Sequence, residues 1–298
     1  MEVIIYQVDA FTEKPFGGNP AGVVPDARGL SELHMQRIAN EMNLSETAFV
    51  IEKDSRNYEV RFFTPKCEVD LCGHATIATF YVLAQKGYIR NIDNGVITVH
   101  QLTKAGKLPV EIYFKDGNVE KVMMYQGTPC SFGVVNDTAS LASILGISSD
   151  NIGVNGATLC PEIVSTGLAD IIVPVRSKAV LDSIDIDFRK LEEFSVKYNA
   201  LGAHVFCFDE DSDSTVFCRN FAPAVGINEE AATGTSNGAL IHYLKKNNLI
   251  SRDEMLAKQG QALNRPSDIF CQIEEKDGSY TVKVGGKANI VLQGIISL

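Results

Sequence analysis

Arg61-Phe62-Phe63-Thr64-Pro65 and Arg219-Asn220-Phe221-Ala222-Pro223 both read R-x-F-x-P, the second copy standing 158 positions after the first. Each leads into a similar second block. Glu68-Val69-Asp70-Leu71-Cys72-Gly73-His74-Ala75 runs into Thr76 to Leu83, and Glu229-Glu230-Ala231-Ala232-Thr233-Gly234-Thr235-Ser236 runs into Asn237 to Leu244. Setting Cys72-Gly73 on Thr233-Gly234 also superposes Glu68 on Glu229, Ala78 on Ala239 and Leu83 on Leu244, with three extra residues in the second copy. The chain reads as one domain duplicated into two pseudo-symmetric lobes, and a cleft between lobes is a common address for a small-molecule site.

Each block reads as a strand ending at R-x-F-x-P, a turn, and a glycine opening a helix. In the first copy Ile77, Phe80, Tyr81, Leu83 and Ala84 make that helix apolar nearly all round, so it must lie inside its lobe with strands wrapped about it. The remaining chain supplies the strands: 3–8, 47–51, 58–63, 96–100, 110–114 and 119–124 in the first half. The second half offers 162–165, 169–174, 203–208, 215–219, 270–274, 280–284 and 290–296. Lys115-Asp116-Gly117-Asn118 reads as a hairpin turn, 31–43 and 137–145 as amphipathic helices, and Gln126 to Val134 as a linker. The expected fold is α+β, two pseudo-symmetric lobes, each a β-barrel-like sheet around a central helix. The lobes span 1–126 and 127–298, the last strand free to pack back on the N-terminal lobe.

Two lobes suit 298 residues. With 45% hydrophobic and 21% charged residues the chain is ordinary globular material, neither disordered nor coiled-coil. A net charge of −10 and the lack of a basic stripe make nucleic acid and anionic membrane surfaces poor partners. Seven scattered cysteines, without a C-x-x-C pair, read as reduced thiols. No apolar run approaches the ~18 residues of a membrane span. The expected location is cytoplasmic.

The chemistry is sought at the two helix starts, where about four unpaired N–H groups and roughly half a positive charge attract a carboxylate. Cys72 sits at one of them, where a thiol's pKa is depressed; a reactive thiolate and a buried small hydrophobe are both open readings. The other six cysteines read as packing residues. His74, two residues on, reads as a proton carrier or carboxylate ligand, while His34, His100, His204 and His242 read as structural or exposed. In Leu44-Ser45-Glu46-Thr47-Ala48-Phe49-Val50, period-2 alternation sets Glu46 on a face with Leu44, Ala48 and Val50. Burial there would raise its pKa toward that of a general base; an ion-paired or edge-exposed glutamate is the alternative. Gly17-Gly18-Asn19-Pro20-Ala21 reads as a loop that either approaches a ligand or simply turns.

Nucleotide fingerprints, P-loops, H-E-x-x-H and G-x-S-x-G are absent from the sequence. Asp209-Glu210-Asp211-Ser212-Asp213 begins like a calcium loop, but Ser214 stands where glycine is required, and a hairpin tip is the better account. No metal and no cofactor are expected, which leaves acid–base chemistry by side chains.

Asp9-Ala10-Phe11 with Phe16 to Val23, Leu44 to Phe49, Arg61 to Pro65, Gly73 to Thr76 and Gly226 to Thr235 together resemble the PhzF-like, phenazine-biosynthesis isomerase family, in order along nearly the whole chain. That family is similar in fold to diaminopimelate epimerase. The resemblance implies cofactor-independent isomerisation of a small carboxylate, typically by a homodimer in a biosynthetic setting. By resemblance Glu46 matches the catalytic acid/base and His74 a second proton-handling residue. Glu230 stands for an aspartate that contacts substrate, one methylene longer. Asn19, Cys72, Gly73, Thr233, Gly234 and Thr235 fall at the substrate-binding segments. The family's E-D-P-A-T-G-S reads Glu229-Glu230-Ala231-Ala232-Thr233-Gly234-Thr235 here. Compared with the epimerase, Cys72 holds one catalytic cysteine position while Thr233 holds the other, which disfavours two-thiol epimerisation. Two alternatives accompany the isomerase reading: a lyase or dehydratase on a related acid, and a non-catalytic small-molecule binding protein.

Overall fold

In the computed structural model of the chain, which describes residues 1–154 and 159–298 and only the backbone of 213 and 214, two units separate. One is Met1–Tyr125 with Gly285–Leu298, the other Gln126–Val284.

The first unit contains β1 (Glu2–Ala10), β2 (Asn19–Val24), α1 (Glu32–Met42), β3 (Glu46–Asp54), β4 (Asn57–Phe63), β5 (Glu68–Val69), α2 (Gly73–Gln85), β6 (Gly95–Thr103), β7 (Gly106–Lys115) and β8 (Asn118–Tyr125). α2 is the central helix. Its residues from His74 to Ala84 are buried apart from Tyr81, and it packs on β1, β2, β3, β7 and β8. An apolar helix without a polar face has no other stable place in a soluble unit. α1 is amphipathic and buries only Met35, Ile38 and Ala39, which meet Val24, Phe49 and Phe63 on the sheet's other side. The β7–β8 turn places Asp116 and Gly117 at φ 50° and 75°, the left-handed pair that a two-residue hairpin demands.

The second unit contains β9 (Cys130–Val134), α3 (Thr138–Ile144), β10 (Glu162–Ser165), β11 (Ala169–Pro174), α4 (Lys178–Asp182), α5 (Phe188–Lys197), β12 (Ala203–Asp209), β13 (Ser212–Ala222), β14 (Ile227–Glu230), α6 (Gly234–Lys246), β15 (Glu254–Gln259), β16 (Ser267–Lys276) and β17 (Ser279–Gly286). Its plan repeats the first. β4 lies antiparallel to β3 and β5 and parallel to β6, just as β13 lies antiparallel to β12 and β14 and parallel to β15. α6 has the length of α2, 13 residues, and packs on β10, β11, β15 and β16. The final strand, β18 (Ala288–Ser297), pairs antiparallel with β1 from Ala10↔Ala288 to Glu2↔Ser297.

The repeated motif has a repeated job. Arg61 forks onto Glu68 at 2.8 and 2.7 Å and stacks over Phe63 at 5.1 Å. Arg219 forks onto Glu229 at 2.9 Å through both nitrogens and stacks over Phe221 at 4.9 Å. Each arginine thereby ties the strand to the loop that feeds the central helix, with the bidentate geometry that lysine cannot supply.

Several sequence expectations change. Gly285–Leu298 belongs to the first unit, the placement the sequence allowed for the last strand, because β18 supplies the partner that β1 needs along its whole length. The expected linker 126–134 contains β9, which pairs with β10 although its five residues are exposed. Asn19 opens β2 rather than closing a loop. α4, α5 and β15 were not anticipated. α5 buries only Leu191, Phe194 and Ser195, a narrow stripe flanked by charges. Asp209 to Ser212 turn a hairpin between β12 and β13; the side chains of 213 and 214 lie outside the described residues. Cys67, Cys130 and Cys160 are exposed rather than packed. Among the described residues no helix is long and apolar enough to cross a membrane.

Candidate active site

Helix caps divide the helices into two kinds. α1, α3, α4 and α5 start at Ser31, Asp137, Ser177 and Asp187, whose side chains each accept from a first-turn N–H. The two central helices start at Cys72 and Thr233 with no side-chain cap bond. A helix start without its own cap keeps its dipole and N–H groups for something else.

At the start of α2 the first unit gathers four residues singled out from the sequence. Glu46, the first residue of β3, is held opposite Ala21 of β2 in parallel register, and Asn19 opens β2. His74 Nε2 lies 3.2 Å from Glu46 Oε2, with side chains 6% and 19% exposed. His74 Nδ1 is 3.4 Å from Cys72 Sγ and 3.4 Å from Asn19 Nδ2. Glu46 Oε2 makes no aligned hydrogen bond, so its contact with the imidazole is an ion pair held by proximity.

The electrostatics correct two expectations. Burial works to raise the pKa of Glu46, yet the adjacent His74, and after it Cys72, outweigh burial and hold the carboxyl below its ordinary range. Cys72 moves the other way. Its thiol is pushed up by burial, against the pull of His74, because the sulfur is fully enclosed and a helix start alone does not offset that. His74 is raised well above the usual histidine value: burial disfavours its charge, and Cys72 and Glu46 more than restore it. His74 thus favours the carboxylate form of Glu46, its two neighbours favour the charged imidazole, and burial disfavours the Cys72 thiolate.

Glu46, Cys72 and His74 offer ligand atoms within 4.8 Å of one another, a donor set that zinc accepts. A metal-bound imidazole normally gives its far N–H to a carboxylate, carbonyl or water. The far nitrogen of His74 instead meets the Asn19 amide nitrogen and a thiol. The arrangement suits proton handling better than metal binding.

Glu230, Thr233, Gly234 and Thr235 form a group of their own in the second unit. Thr233 Oγ1 donates to Glu230 Oε2 at 3.3 Å, and Thr166 Oγ1 donates to the Thr235 carbonyl at 2.9 Å. Gln259 Nε2 donates to the Glu230 carbonyl at 2.8 Å and to Thr233 Oγ1 at 3.1 Å.

Sequence reasoning passed over His204, which is fully buried and lies in this second group through Asn237. A signal was present: the duplicated motif carries Asn220 where the first copy carries Phe62.

Comparison with known proteins places these residues in a family. The family model described as phenazine biosynthesis-like protein matches residues 8–294. An uncharacterized isomerase of Clostridium acetobutylicum is 38% identical, with 99% of this chain and 98% of that protein covered. The trans-2,3-dihydro-3-hydroxyanthranilate isomerase of Pseudomonas chlororaphis is 31% identical, with 98% of each covered. The crystal structure of a Bacillus anthracis phenazine biosynthesis protein of the PhzF family superposes with TM-score 0.87 at 27% identity over 100% of both chains. The sheet-rich α+β fold is the diaminopimelate epimerase-like one. With the match running the length of the chain in both sequence and fold, the protein belongs to the phenazine biosynthesis-like (PhzF) family of isomerases.

Proposed function

We propose that the protein is a cofactor-independent isomerase that shifts a proton between carbons of a small carboxylate, with Glu46 as the base and His74 as its proton partner. The observation that carries this is the carboxylate–imidazole pair, a buried His74 3.2 Å from a partly buried Glu46, at the uncapped start of α2. Glu46 takes a C–H proton and returns it at another carbon of the same molecule; one C–H bond breaks, one forms, and no electrons leave the substrate. A carboxylate held below its ordinary pKa is a weak base, so the site must acidify the carbon. Backbone N–H groups at the helix start suit that task, since they meet the negative charge that develops, while the adjacent His74 favours an ionised Glu46 before the proton is taken and after it is returned. Glu230 and the Thr233–Thr235 segment are assigned to orienting the substrate. The longer reach of Glu230 favours a substrate related to, but distinct from, the acid named for the Pseudomonas chlororaphis relative.

Glu46→Gln tests the reading. The variant keeps shape and hydrogen-bonding capacity but carries no basic oxygen. Deuterium uptake from D₂O into trans-2,3-dihydro-3-hydroxyanthranilate and related cyclic and acyclic amino and hydroxy acids is followed by NMR. Loss of about 10²- to 10⁴-fold of the exchange rate is expected; exchange at the wild-type rate in the folded variant refutes the assignment.

A further inference from the structure

The second unit differs from the first in one respect that packing does not require. In the first unit the registered β3–β4 pair at the core is Ala48↔Phe62, both fully buried and apolar. At the corresponding β12–β13 pair stands His204↔Asn220, equally buried and polar. An apolar pair satisfies this position in one copy, so polarity in the other calls for a different reason.

The hydrogen bonds supply it. Asn220 Nδ2 faces three acceptors: His204 Nδ1 at 3.2 Å, Ser236 Oγ at 3.2 Å and Asp170 Oδ2 at 3.4 Å. Ser236 Oγ also donates to Asp170 Oδ2. The carboxyl group thus fixes which end of the Asn220 amide points inward, and Nδ1 of His204 must accept. Its proton then lies on Nε2, which donates to Asn237 Oδ1 at 3.2 Å. Asn237 Nδ2 in turn donates to the Thr233 carbonyl and to Gln259 Oε1, both at 2.9 Å. Gln259 Nε2 donates to Thr233 Oγ1 and the Glu230 carbonyl, and Thr233 donates to Glu230 Oε2. The direction is shared along the whole series, and the Thr233 and Glu230 carbonyls, which accept from Asn237 and Gln259, agree with it. Among the described residues, the corresponding place in the first unit has Thr76 Oγ1 bonded to the Cys72 carbonyl and to Gln101 Oε1.

We infer that His204 is a positioning residue: as the neutral Nε2–H tautomer it fixes the direction of a side-chain hydrogen-bond series that ends on the Glu230 carboxylate and sets where that carboxylate and the start of α6 point. The inference rests on the proposed function only in taking Glu230 to meet the substrate. The series itself lies wholly within the second unit. Burial supports the neutral state, bringing the His204 pKa down to about 4 even though the Asn237 bond works the other way.

Two NMR measurements and one kinetic one test it. In uniformly ¹⁵N-labelled wild-type protein at neutral pH, two-bond ¹H–¹⁵N correlations of the His204 ring, assigned by their loss in His204→Gln, should show protonation at Nε2 alone. With ¹³C-labelled glutamate, the Glu230 carboxyl signal, assigned through Glu230→Gln, should move in His204→Asn, whose short amide meets Asn220 but does not reach Asn237. It should return toward its wild-type position in His204→Gln, whose nitrogen does reach. On trans-2,3-dihydro-3-hydroxyanthranilate, or whichever acid of the panel exchanges deuterium, His204→Asn should lower kcat about tenfold with KM little changed, and His204→Gln should recover most of it. Protonation at Nδ1, or at both nitrogens, overturns the inference, with His204→Gln needed only for the assignment. A folded His204→Asn that leaves the Glu230 signal in place also overturns it. The NMR outcomes do not involve substrate, so a failure of Glu46 as the base would leave them intact.

Discussion

Arg219→Met should destabilise the protein about twice as much as Arg61→Met, although the two arginines occupy equivalent places in the repeat. Arg219 and Glu229 are 14% and 11% exposed. Among the described residues Glu229 has no second cation within ion-pair distance. Removing the guanidinium leaves a nearly buried carboxylate alone, at about 3–5 kcal/mol. It also strips the donor from the carbonyls of Leu181 and Ile184, which Arg219 Nη1 now meets at 3.3 and 3.1 Å, at roughly 1 kcal/mol each where water does not replace it. Methionine recovers the packing of the arginine stem over Phe221, so the net cost is about 4 kcal/mol. At Arg61 the loss is cushioned. Glu68 keeps Lys104 at 2.6 Å, and the other partner, Glu32, is 71% exposed and returns to water. About 2 kcal/mol is expected there. At roughly 2–4 °C per kcal/mol for units of this size, the variants should lose about 8–16 °C and 4–8 °C in Tm. Scanning calorimetry with parallel urea unfolding measures both. Should Arg61→Met prove equal to or worse than Arg219→Met, the assumption that the second partner decides the cost is wrong.

Glu68 is held at about 2, chiefly by the Arg61 fork, against an ordinary value of 4.5. A depressed carboxyl stabilises the fold above its unfolded pKa, so roughly 3 kcal/mol should be lost as pH falls from 4.5 toward 2, and Glu68→Gln should flatten that slope in urea titrations; an unchanged slope contradicts the ion-pair account. Activity should need Glu46 ionised and His74 protonated, which places the acid limb of the kcat/KM profile below the ordinary carboxylate value and the basic limb well above 6.5. The two limbs belong to the coupled pair, and a basic limb at or under 6.5 would mean that His74 works as a neutral base instead. Iodoacetamide at neutral pH should alkylate the exposed Cys67, Cys130 and Cys160 before the buried, neutral Cys72. Early modification of Cys72 in a peptide-mapped time course would show that a thiolate is present after all.

Much of the site could be read before any coordinates. The R-x-F-x-P repeat and the glycine after it located both central helices, since an all-apolar helix in a duplicated block has only one place to go. It also put Cys72 and His74 at a helix start, and strand alternation marked Glu46. The sequence went astray where a signal depends on partners far along the chain. Asn19 looked like part of a turn because Gly17 and Gly18 precede it, yet pairing with Ala10 of β1 draws it into a strand. β9 looked like a linker because residues 126–134 are rich in Gly, Pro and Thr; its place comes from backbone pairing with β10, with all five side chains exposed. The pKa directions of Glu46 and Cys72 could not be read either, because each depends on which charge lies across a gap of 3 to 4 Å.

Periodicity and the repeat settled part of what is local: many of the strands and helices, where the two central helices begin, and that an imidazole and a thiol stand at one of those beginnings. Only the tertiary structure decided what surrounds those groups, namely His74 beside Glu46, which favours the carboxylate, and burial around Cys72, which disfavours the thiolate. Only it could set His204, one of four histidines read as structural or exposed, within a hydrogen-bond series spanning residues 170 to 259. The reason is that hydrophobic patterning acts over a few neighbouring residues, whereas desolvation, charge and hydrogen-bond direction are set by whatever the fold brings within a few ångströms.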